Sequence, residues 1–447
     1  MHFSASALKT RLLGWPAPGR YVALVSGGCD SMVLMYALAE IASLLPAPVS
    51  VLHFDHGLSD QSADWQKFVK SRAEALGLPF HSEKLGLEPG PGAETRAREA
   101  RYARLREWME MDDCCLSAHH ADDQLETFLL HALRGSGTTG LAGIRPLMRF
   151  GPGWLGRPLL EWSRAELNAW AGRRKLQWIE DPANRDLSVP RNWLRAQIGP
   201  SLSERWPQAP HTIARSARLA GEADAVLAEV AREDLARLDL GHPACISVSG
   251  LLALSEARRR NVLRHWLRER QLPMPSARKL LELDKRFIRD VPGGMAELNW
   301  HGACVRRYRD CLFAQAPWPP PTPEKILEME PGRPLDLGYL GEVRLVRDPE
   351  GPLAESVMAV PLTVRFRRGG ERLRPAGSIH HRTLKNLLQE QAVLPWMRLR
   401  LPLLYAGDRL ASVAGVVGAT EEFSGQGCRF VWTKRPPIHH TPPDCSE

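Results

Sequence analysis

Six residues near the start of the chain, Ser26-Gly27-Gly28-Cys29-Asp30-Ser31, have the types and spacing to hold a polyanion. Two glycines allow close backbone approach, so successive N–H groups can face an anion. A helix starting there would add the partial positive charge of its N-terminus. The hydroxyls of Ser26 and Ser31 can donate to phosphate oxygens. No lysine lies in the loop, so the Walker A arrangement is excluded. A second set, His119, His120, Asp122, Asp123 and Glu126, falls within one run of eight residues. Carboxylates three and four apart share neighbouring helix faces. They can hold Mg²⁺ between phosphates, because hard cations prefer oxygen ligands. The spacing matches no common zinc pattern. Asp55 and His56 close another short apolar run. Arg134 opens a glycine-rich segment whose backbone donors and guanidinium suit a phosphate or leaving group. Arg191 and Arg195, four apart, project from one helix face. Each string also has a plain structural use, as a turn, a helix cap or a solvated face. Cys29 lies where a helix N-terminus would favour a thiolate. No second cysteine is spaced to resolve a disulfide with it, so no covalent role is expected.

These residues need a scaffold that puts loops side by side. Strand-like runs at 21–25, 49–54, 78–82 and 114–118 alternate with helical segments at 31–45, 64–76, 94–109 and 121–134. Continuous apolar strands in such alternation indicate a doubly wound parallel sheet. Ligands bind at the carboxyl ends of strands in such sheets, which is where the strings above fall. From about 200 to 315 helical segments dominate, notably 212–238 and 255–270, with short strand-like pieces between them. A Pro-rich segment at 316–323 follows and is expected to act as a stiff linker. Strands at 360–366 and 409–417 flank a helix at 382–391. The expected fold class is α/β, a doubly wound parallel sheet followed by a mostly helical domain and a small α+β C-terminal domain. The expected division is 1–215 catalytic, 216–316 helical, 317–358 linker and lead-in, and 359–447 basic.

The string SGGCDS between strand and helix resembles the PP-loop of N-type ATP pyrophosphatases. These enzymes cleave ATP between the α- and β-phosphates and pass AMP to an acceptor. HFDHGL, ETRAREARY, HHADDQLET, LRGSGTTGLAGI, RPLL (157–160) and EDPANRD with RNWLR follow across residues 21–200. In that order they are similar to the tRNA(Ile)-lysidine synthetase family. The strings FRRGGER, TLKNLL, PWMR and PLLY carry the resemblance towards the C-terminus. The region 215–315 matches only in helical character. Phe54 and Ser59 replace the family's usual Val and Arg, and His380-His381-Arg382 stand where Lys or Arg is usual. The resemblance implies ATP as substrate, bound by residues 26–31. It implies catalytic, Mg²⁺-binding or lysine-binding roles for Asp30, Asp55, His56, His119, His120, Asp122, Asp123, Glu126, Arg134, Arg191 and Arg195. Asp30 and Asp123 are the expected Mg²⁺ ligands. The implied partners are L-lysine and the isoleucine tRNA with a CAU anticodon, and a homodimer is compatible with this reading.

Charge placement supports an RNA partner. The formal net charge is +8 over 447 residues. Residues 361–400 alone carry nine basic against two acidic side chains. Arginine dominates, which suits bidentate phosphate contacts and stacking on unpaired bases. Arg367, Arg368, Arg372, Arg382, Lys385 and Arg398 are the expected tRNA contacts, whereas Trp396 is expected in the core. Hydrophobic residues make up 44%, ordinary for a globular chain. No apolar run reaches the roughly 18 residues of a membrane span. The first twenty residues lack the apolar core of a secretory signal, so the eight cysteines are expected as reduced thiols of a cytoplasmic protein. No CxxC occurs, which argues against a zinc ribbon, a redox pair and a sulfur-delivering tRNA thiolase. The intact acidic strings argue against a non-catalytic RNA-binding protein.

Overall fold

The computed structural model describes residues 2–55, 57, 61–86, 93–241, 244–290, 296–320 and 322–439. The chain divides into two compact units, Met1–Val226 and Leu227–Glu447.

In the first unit a six-stranded sheet is built from β1 (Arg20–Leu24), β2 (Val49–Asp55), β3 (Phe80–Lys84), β4 (Asp113–Leu116), β5 (Leu147–Phe150) and β6 (Gly153–Gly156), in the order β3-β2-β1-β4-β6-β5. All neighbours run parallel except the edge pair β5–β6. The sequence pattern does not mark that antiparallel hairpin. Its strands are four residues each, too short to show an alternation, and β6 returns two glycines to the sheet. Gly153 has to be a glycine, because an added Cβ would fall 2.2 Å from the Asp113 carbonyl.

Period-two alternation divides the sheet's apolar residues between its faces. Tyr21 and Ala23 of β1 and Cys114 and Leu116 of β4 join one core, with helices α1 (Ala5–Leu13) and α2 (Cys29–Ile41). Val22 and Cys115 join the other, with Leu105 and Met109 at the end of α4 (Ala93–Trp108). Helix α2 is apolar on nearly every side, with Met32, Val33, Leu34, Met35 and Leu38 all fully buried, as a helix enclosed by neighbours must be. Helices α3 (Ser62–Ala75) and α5 (Ala121–Leu133) complete the crossovers. The strand order reverses between β1 and β4. A crevice therefore opens at their carboxyl ends, and the loops after β1 and β4 flank it.

In the second unit, β7 (Cys245–Ser247), β8 (Glu297–Trp300), β9 (Ala303–Tyr308) and β10 (Cys311–Gln315) form an antiparallel sheet in the order β7-β10-β9-β8. Helices Glu256–Glu269 and Ala277–Leu283 and the π-helical turn Asp284–Arg289 pack on it through Leu263, Trp266, Leu280 and Phe287. The short strand-like pieces of this helical region thus make one sheet. Two further four-stranded antiparallel sheets follow. Much of 317–358, read from the sequence as linker and lead-in, belongs to them. Ile326–Met329 pairs with Leu362–Arg365, and Glu342–Asp348 pairs with Gly427–Thr433. These strands are short and broken by Gly and Pro turns, so no regular pattern marks them in the sequence. Among the described residues no helix is long and apolar enough to cross a membrane.

Candidate active site

The loop after β1 is shaped by its own residues. Gly27 has φ +95°, a left-handed conformation that favours glycine. A Cβ there would come within 2.9 Å of the Ile179 side chain, and the Gly27 carbonyl accepts from Ile179 N–H at 2.9 Å. The glycine loop is thereby joined to the stretch that leads into EDPANRD. The Ser31 hydroxyl accepts from the N–H groups of Ser26 and Gly27, each at 3.2 Å, and donates to the Gly28 carbonyl at 2.8 Å. Sequence reasoning gave that hydroxyl to phosphate. Here it folds back from the first helical turn and braces the loop. The Cys29 thiol donates to Asn168 Oδ1 at 3.2 Å, and burial together with Asp30 pushes its pKa up to about 11. The helix N-terminus does not make it a thiolate.

The loop after β4 carries the acidic string into α5. His120 is 1% exposed. Its Nε2 lies 3.5 Å from Asp30 Oδ2 and 3.4 Å from Asp123 Oδ2, and its Nδ1 lies 3.4 Å from Asp122 Oδ2. Burial alone would lower its pKa, but Asp123, Asp122 and Asp30 raise it to about 10. The imidazolium is the hub on which three carboxylates converge. His119, one residue away, is driven the other way by burial, to about 3, and its Nδ1 lies 2.9 Å from the Ser117 hydroxyl. The two adjacent histidines thus carry opposite charge states at neutral pH.

Asp123 and Glu126 receive two arginines. Arg191 donates through Nε to Glu126 Oε2 at 2.7 Å and through Nη2 to Asp123 Oδ1 at 3.0 Å. Arg195 donates through Nε to Glu126 Oε1 at 2.8 Å and through Nη2 to Asp123 Oδ1 at 3.0 Å. Asp123 also accepts His120 N–H at 3.0 Å. Burial would raise the Asp123 pKa, yet His120, Arg191 and Arg195 hold it well below the usual carboxylate range. The arginines come from Pro190–Trp193 and the π-helical turn Leu194–Ile198, a backbone form often found at functional sites.

A cavity of about 550 Å³ gathers most of these groups. Ser26, Gly28, Cys29, Asp30, Ser31, His119, Asp123, Arg191 and Arg195 line it. Glu126 is buried behind its two arginines, and Asp122 accepts Arg164 N–H at 2.7 Å. Two expected residues lie elsewhere. Asp55 is buried at the end of β2 and caps Gly57 N–H at 2.9 Å. Arg134 is exposed just past α5 and does not line the cavity, because Gly135 turns the chain away there with φ +69°. His56 lies outside the described residues. Arg98, Arg101, Tyr102 and Trp178 also line the cavity, and the sequence reading assigned them no role. Gln124 holds the end of the glycine-rich segment through the Ala142 and Ile144 carbonyls and Ile144 N–H. Among the described residues no cluster of three or more His, Cys, Asp or Glu is arranged to hold a metal ion.

Comparison with known proteins agrees with this geometry. A PP-loop domain profile matches residues 8–202, a TilS substrate binding domain profile 246–313, and a TilS substrate C-terminal domain profile 362–432. A tRNA(Ile)-lysidine synthase of Alkalilimnicola ehrlichii is 39% identical over 94% of this chain and 95% of its own. Proteins of the same name from Pseudomonas syringae and Coxiella burnetii are 37% and 33% identical, over 93% and 91% of this chain and the same shares of their own. The chain belongs to the tRNA(Ile)-lysidine synthase family. It is an ATP-binding ligase of tRNA modification, and the glycine loop described above lies within the residues matched by the PP-loop domain profile.

The family's C-terminal region carries the arginine-rich stretch, and there most of the charge is already engaged. Arg367 pairs with Glu371, and Arg382 with Glu390. Arg368 donates to the Pro323 carbonyl at 3.1 Å, and Arg398 to that of Val393 at 3.0 Å. Arg400 donates to the Trp396 and Pro319 carbonyls. Short strands and tight turns leave carbonyls that these side chains cap. Arg372 and Lys385 are exposed. Trp396 is 7% exposed and packs edge-on against Phe313 at 5.1 Å, a core residue as expected.

Proposed function

We propose that the enzyme joins L-lysine to C2 of the wobble cytidine of the isoleucine tRNA bearing a CAU anticodon. The products are lysidine, AMP and pyrophosphate, and the tRNA then reads AUA as isoleucine. In the first step the cytosine C2 oxygen attacks the α-phosphate of ATP and pyrophosphate leaves, giving an adenylated cytidine. In the second the amine of lysine attacks C2 and AMP departs. One observation carries this reading. A single cavity joins a glycine loop at a helix start, a carboxylate with an unpartnered oxygen, and two arginines held in fixed orientation.

The start of α2, just after the glycine loop, favours the leaving pyrophosphate. Arg191 and Arg195, preorganised by Glu126 and Asp123, offset charge that develops on the phosphates without reorganising. Asp30 Oδ1 is buried and unpartnered, as a carboxylate kept for a cation would be. Asp123 faces the same imidazole nitrogen. The Asp30 carboxylate would hold Mg²⁺, which would supply charge neutralisation between phosphates and needs few protein ligands, whereas both Asp123 oxygens are engaged by Arg191, Arg195 and His120. ATP, free lysine and tRNA meet in the cytoplasm, the compartment this reading requires. The test is direct. Purified protein with ATP, Mg²⁺, unmodified CAU-anticodon isoleucine tRNA and radiolabelled lysine should transfer label to the tRNA. Absence of label in the tRNA refutes the reading.

A further inference from the structure

The glycine-rich string at 134–144 does not line the catalytic cavity, so its use has to be sought elsewhere. The segment folds back on α5. Ser136 N–H donates to the His131 carbonyl at 3.0 Å, and the Nδ1 of His131 meets the Gly140 carbonyl. Gln124, on the same helix, holds the Ala142 and Ile144 carbonyls and Ile144 N–H at 3.2, 3.1 and 2.7 Å. From its other side the segment is clasped by one carboxylate. Asp224 is 9% exposed. Its Oδ1 accepts from Thr139 Oγ1 at 2.5 Å and Thr138 Oγ1 at 3.3 Å, and its Oδ2 accepts from Arg145 Nη2 at 2.7 Å. Gly221, one turn earlier on the same helix face, lies over Ala142; a Cβ added there would sit 3.5 Å from the Ala142 Cβ. One buried acid thus gathers two hydroxyls and a guanidinium from a single segment. Burying it so deeply is costly without them.

What the clasp fixes is α5. That helix carries Asp123 and Glu126, which orient Arg191 and Arg195. It packs against the helical turns at 190–205 that bear those arginines. The chain then runs from 205 directly into the helix Ala209–Leu238, and Asp224 lies in the part of that helix that belongs to the first unit. A closed frame results. Its sides are α5, the glycine-rich segment, the helix from 209 to Asp224, and the arginine-bearing turns. Near the start of the long helix, His211 Nε2 also lies 3.3 Å from Glu166 Oε2. Glu166 belongs to the helix Arg164–Arg173, whose first N–H goes to Asp122 of α5. Without Asp224 the side formed by the glycine-rich segment is open, and the acids are tied to the arginines only through their own ion pairs. We propose that Asp224 is a positioning residue for the reaction, holding α5 so that Arg191 and Arg195 keep the orientation that developing phosphate charge requires. This rests on the ligation reading above. Interactions made in the transition state set kcat rather than ground-state binding. A displacement of about 1 Å remote from the chemistry can cost on the order of 100-fold.

The experiment separates positioning from folding. It uses the full-length enzyme with ATP, Mg²⁺, unmodified CAU-anticodon isoleucine tRNA and radiolabelled lysine. Asp224→Ala should lower kcat roughly 10- to 100-fold, while the KM values for ATP and lysine stay within about threefold. Asp224→Asn keeps the size of the side chain and an acceptor for Thr139, and should recover part of the rate. Asp113→Asn is the control. Asp113 is 2% exposed and pairs with Arg20 at the amino end of β4, away from the cavity. Its loss should lower the thermal midpoint and leave kcat unchanged. Glu126→Gln already releases the arginines, so adding Asp224→Ala should lower kcat by less than the product of the single effects. The assignment is overturned if Asp224→Ala lowers the midpoint with kcat unchanged, or if Asp113→Asn lowers kcat as much. It is also overturned if the defect is confined to KM, or if it multiplies in full with that of Glu126→Gln. Where the alanine variant does not fold, Asp224→Asn is held to the same criteria with a smaller loss of kcat. Lysine transfer by the wild type stands apart from these outcomes. If transfer itself is absent, the ligation reading has failed; if it is present and unchanged by substitution of Asp224, only the positioning role has.

Discussion

Glu126→Ala probes the lattice on which the cavity depends. Glu126 is 2% exposed and accepts three hydrogen bonds, from Arg191 Nε at 2.7 Å and from Arg195 Nε and Nη2 at 2.8 and 3.1 Å. Removing one partner of a fully buried ion pair costs about 3–5 kcal/mol, because a charge is left uncompensated. Each arginine side chain here keeps 27% of its exposure and retains a 3.0 Å hydrogen bond to Asp123. Water and Asp123 therefore compensate part of the deficit, and about 2–3 kcal/mol is expected. For a unit the size of Met1–Val226, at roughly 2–4 °C per kcal/mol, the unfolding midpoint should fall by about 5–10 °C. Calorimetry on the full chain measures it. Arg195→Met, combined with Glu126→Ala, should cost less than the sum of the single changes by about 1–2 kcal/mol, since the double variant leaves fewer unpaired charges. A midpoint within about 1 °C of the wild type, or strictly additive changes, would falsify the idea that Glu126 acts as the arginine brace.

Stability should also depend on pH in a way set by the two adjacent histidines. His120 holds its proton up to about 10 when folded, against about 6.5 unfolded. Its contribution is complete below about pH 6.5 and is lost as pH rises towards 10. His119, at about 3 when folded, does the reverse: the unfolded chain takes up a proton that the folded chain refuses, so stability falls as pH drops from about 6.5 towards 3. His120→Gln should flatten the alkaline side of the stability profile, and urea midpoints across roughly pH 6–10 that keep their slope in this variant would contradict the assignment. In the C-terminal region, Arg372→Ala with Lys385→Ala should weaken tRNA binding and reduce its salt slope by about two, one for each phosphate no longer neutralised. Unchanged binding isotherms from about 50 to 300 mM salt would mean that this face is merely solvated.

The strand–loop–helix order, and with it the site between β1 and β4, was legible because the buried parallel strands are continuous apolar runs and the chemistry falls at their ends. Several features were not. The β5–β6 hairpin and the strands before Leu362 are too short for a pattern to emerge. The Ser31 hydroxyl could be assigned to a phosphate from its type alone, and only the backbone path of the loop turns it inward. Asp224 left no signal at all. It is one acid on the long helix Ala209–Leu238, yet it accepts from Thr139 at 2.5 Å and Arg145 at 2.7 Å. That ties the glycine-rich segment to a helix far along the chain, an interaction no local pattern encodes.

Charge shows why composition and site have to be read separately. The densest run of arginine in the sequence lies at 361–400, but there Glu371, Glu390 and backbone carbonyls engage most of the guanidinium groups. The residues around α4 contribute fewer cations, and no single stretch of sequence marks them as basic beyond a solvated helix with i, i+4 pairs. Arg157 joins Arg98 and Arg101 only through the fold, and it brings no carboxylate with it. A cation that already has a counter-charge lowers the energy of the folded chain by itself. A cation without one does so only when a ligand arrives. Pairing, rather than the number of basic residues, is therefore the better guide to an anion site in this chain.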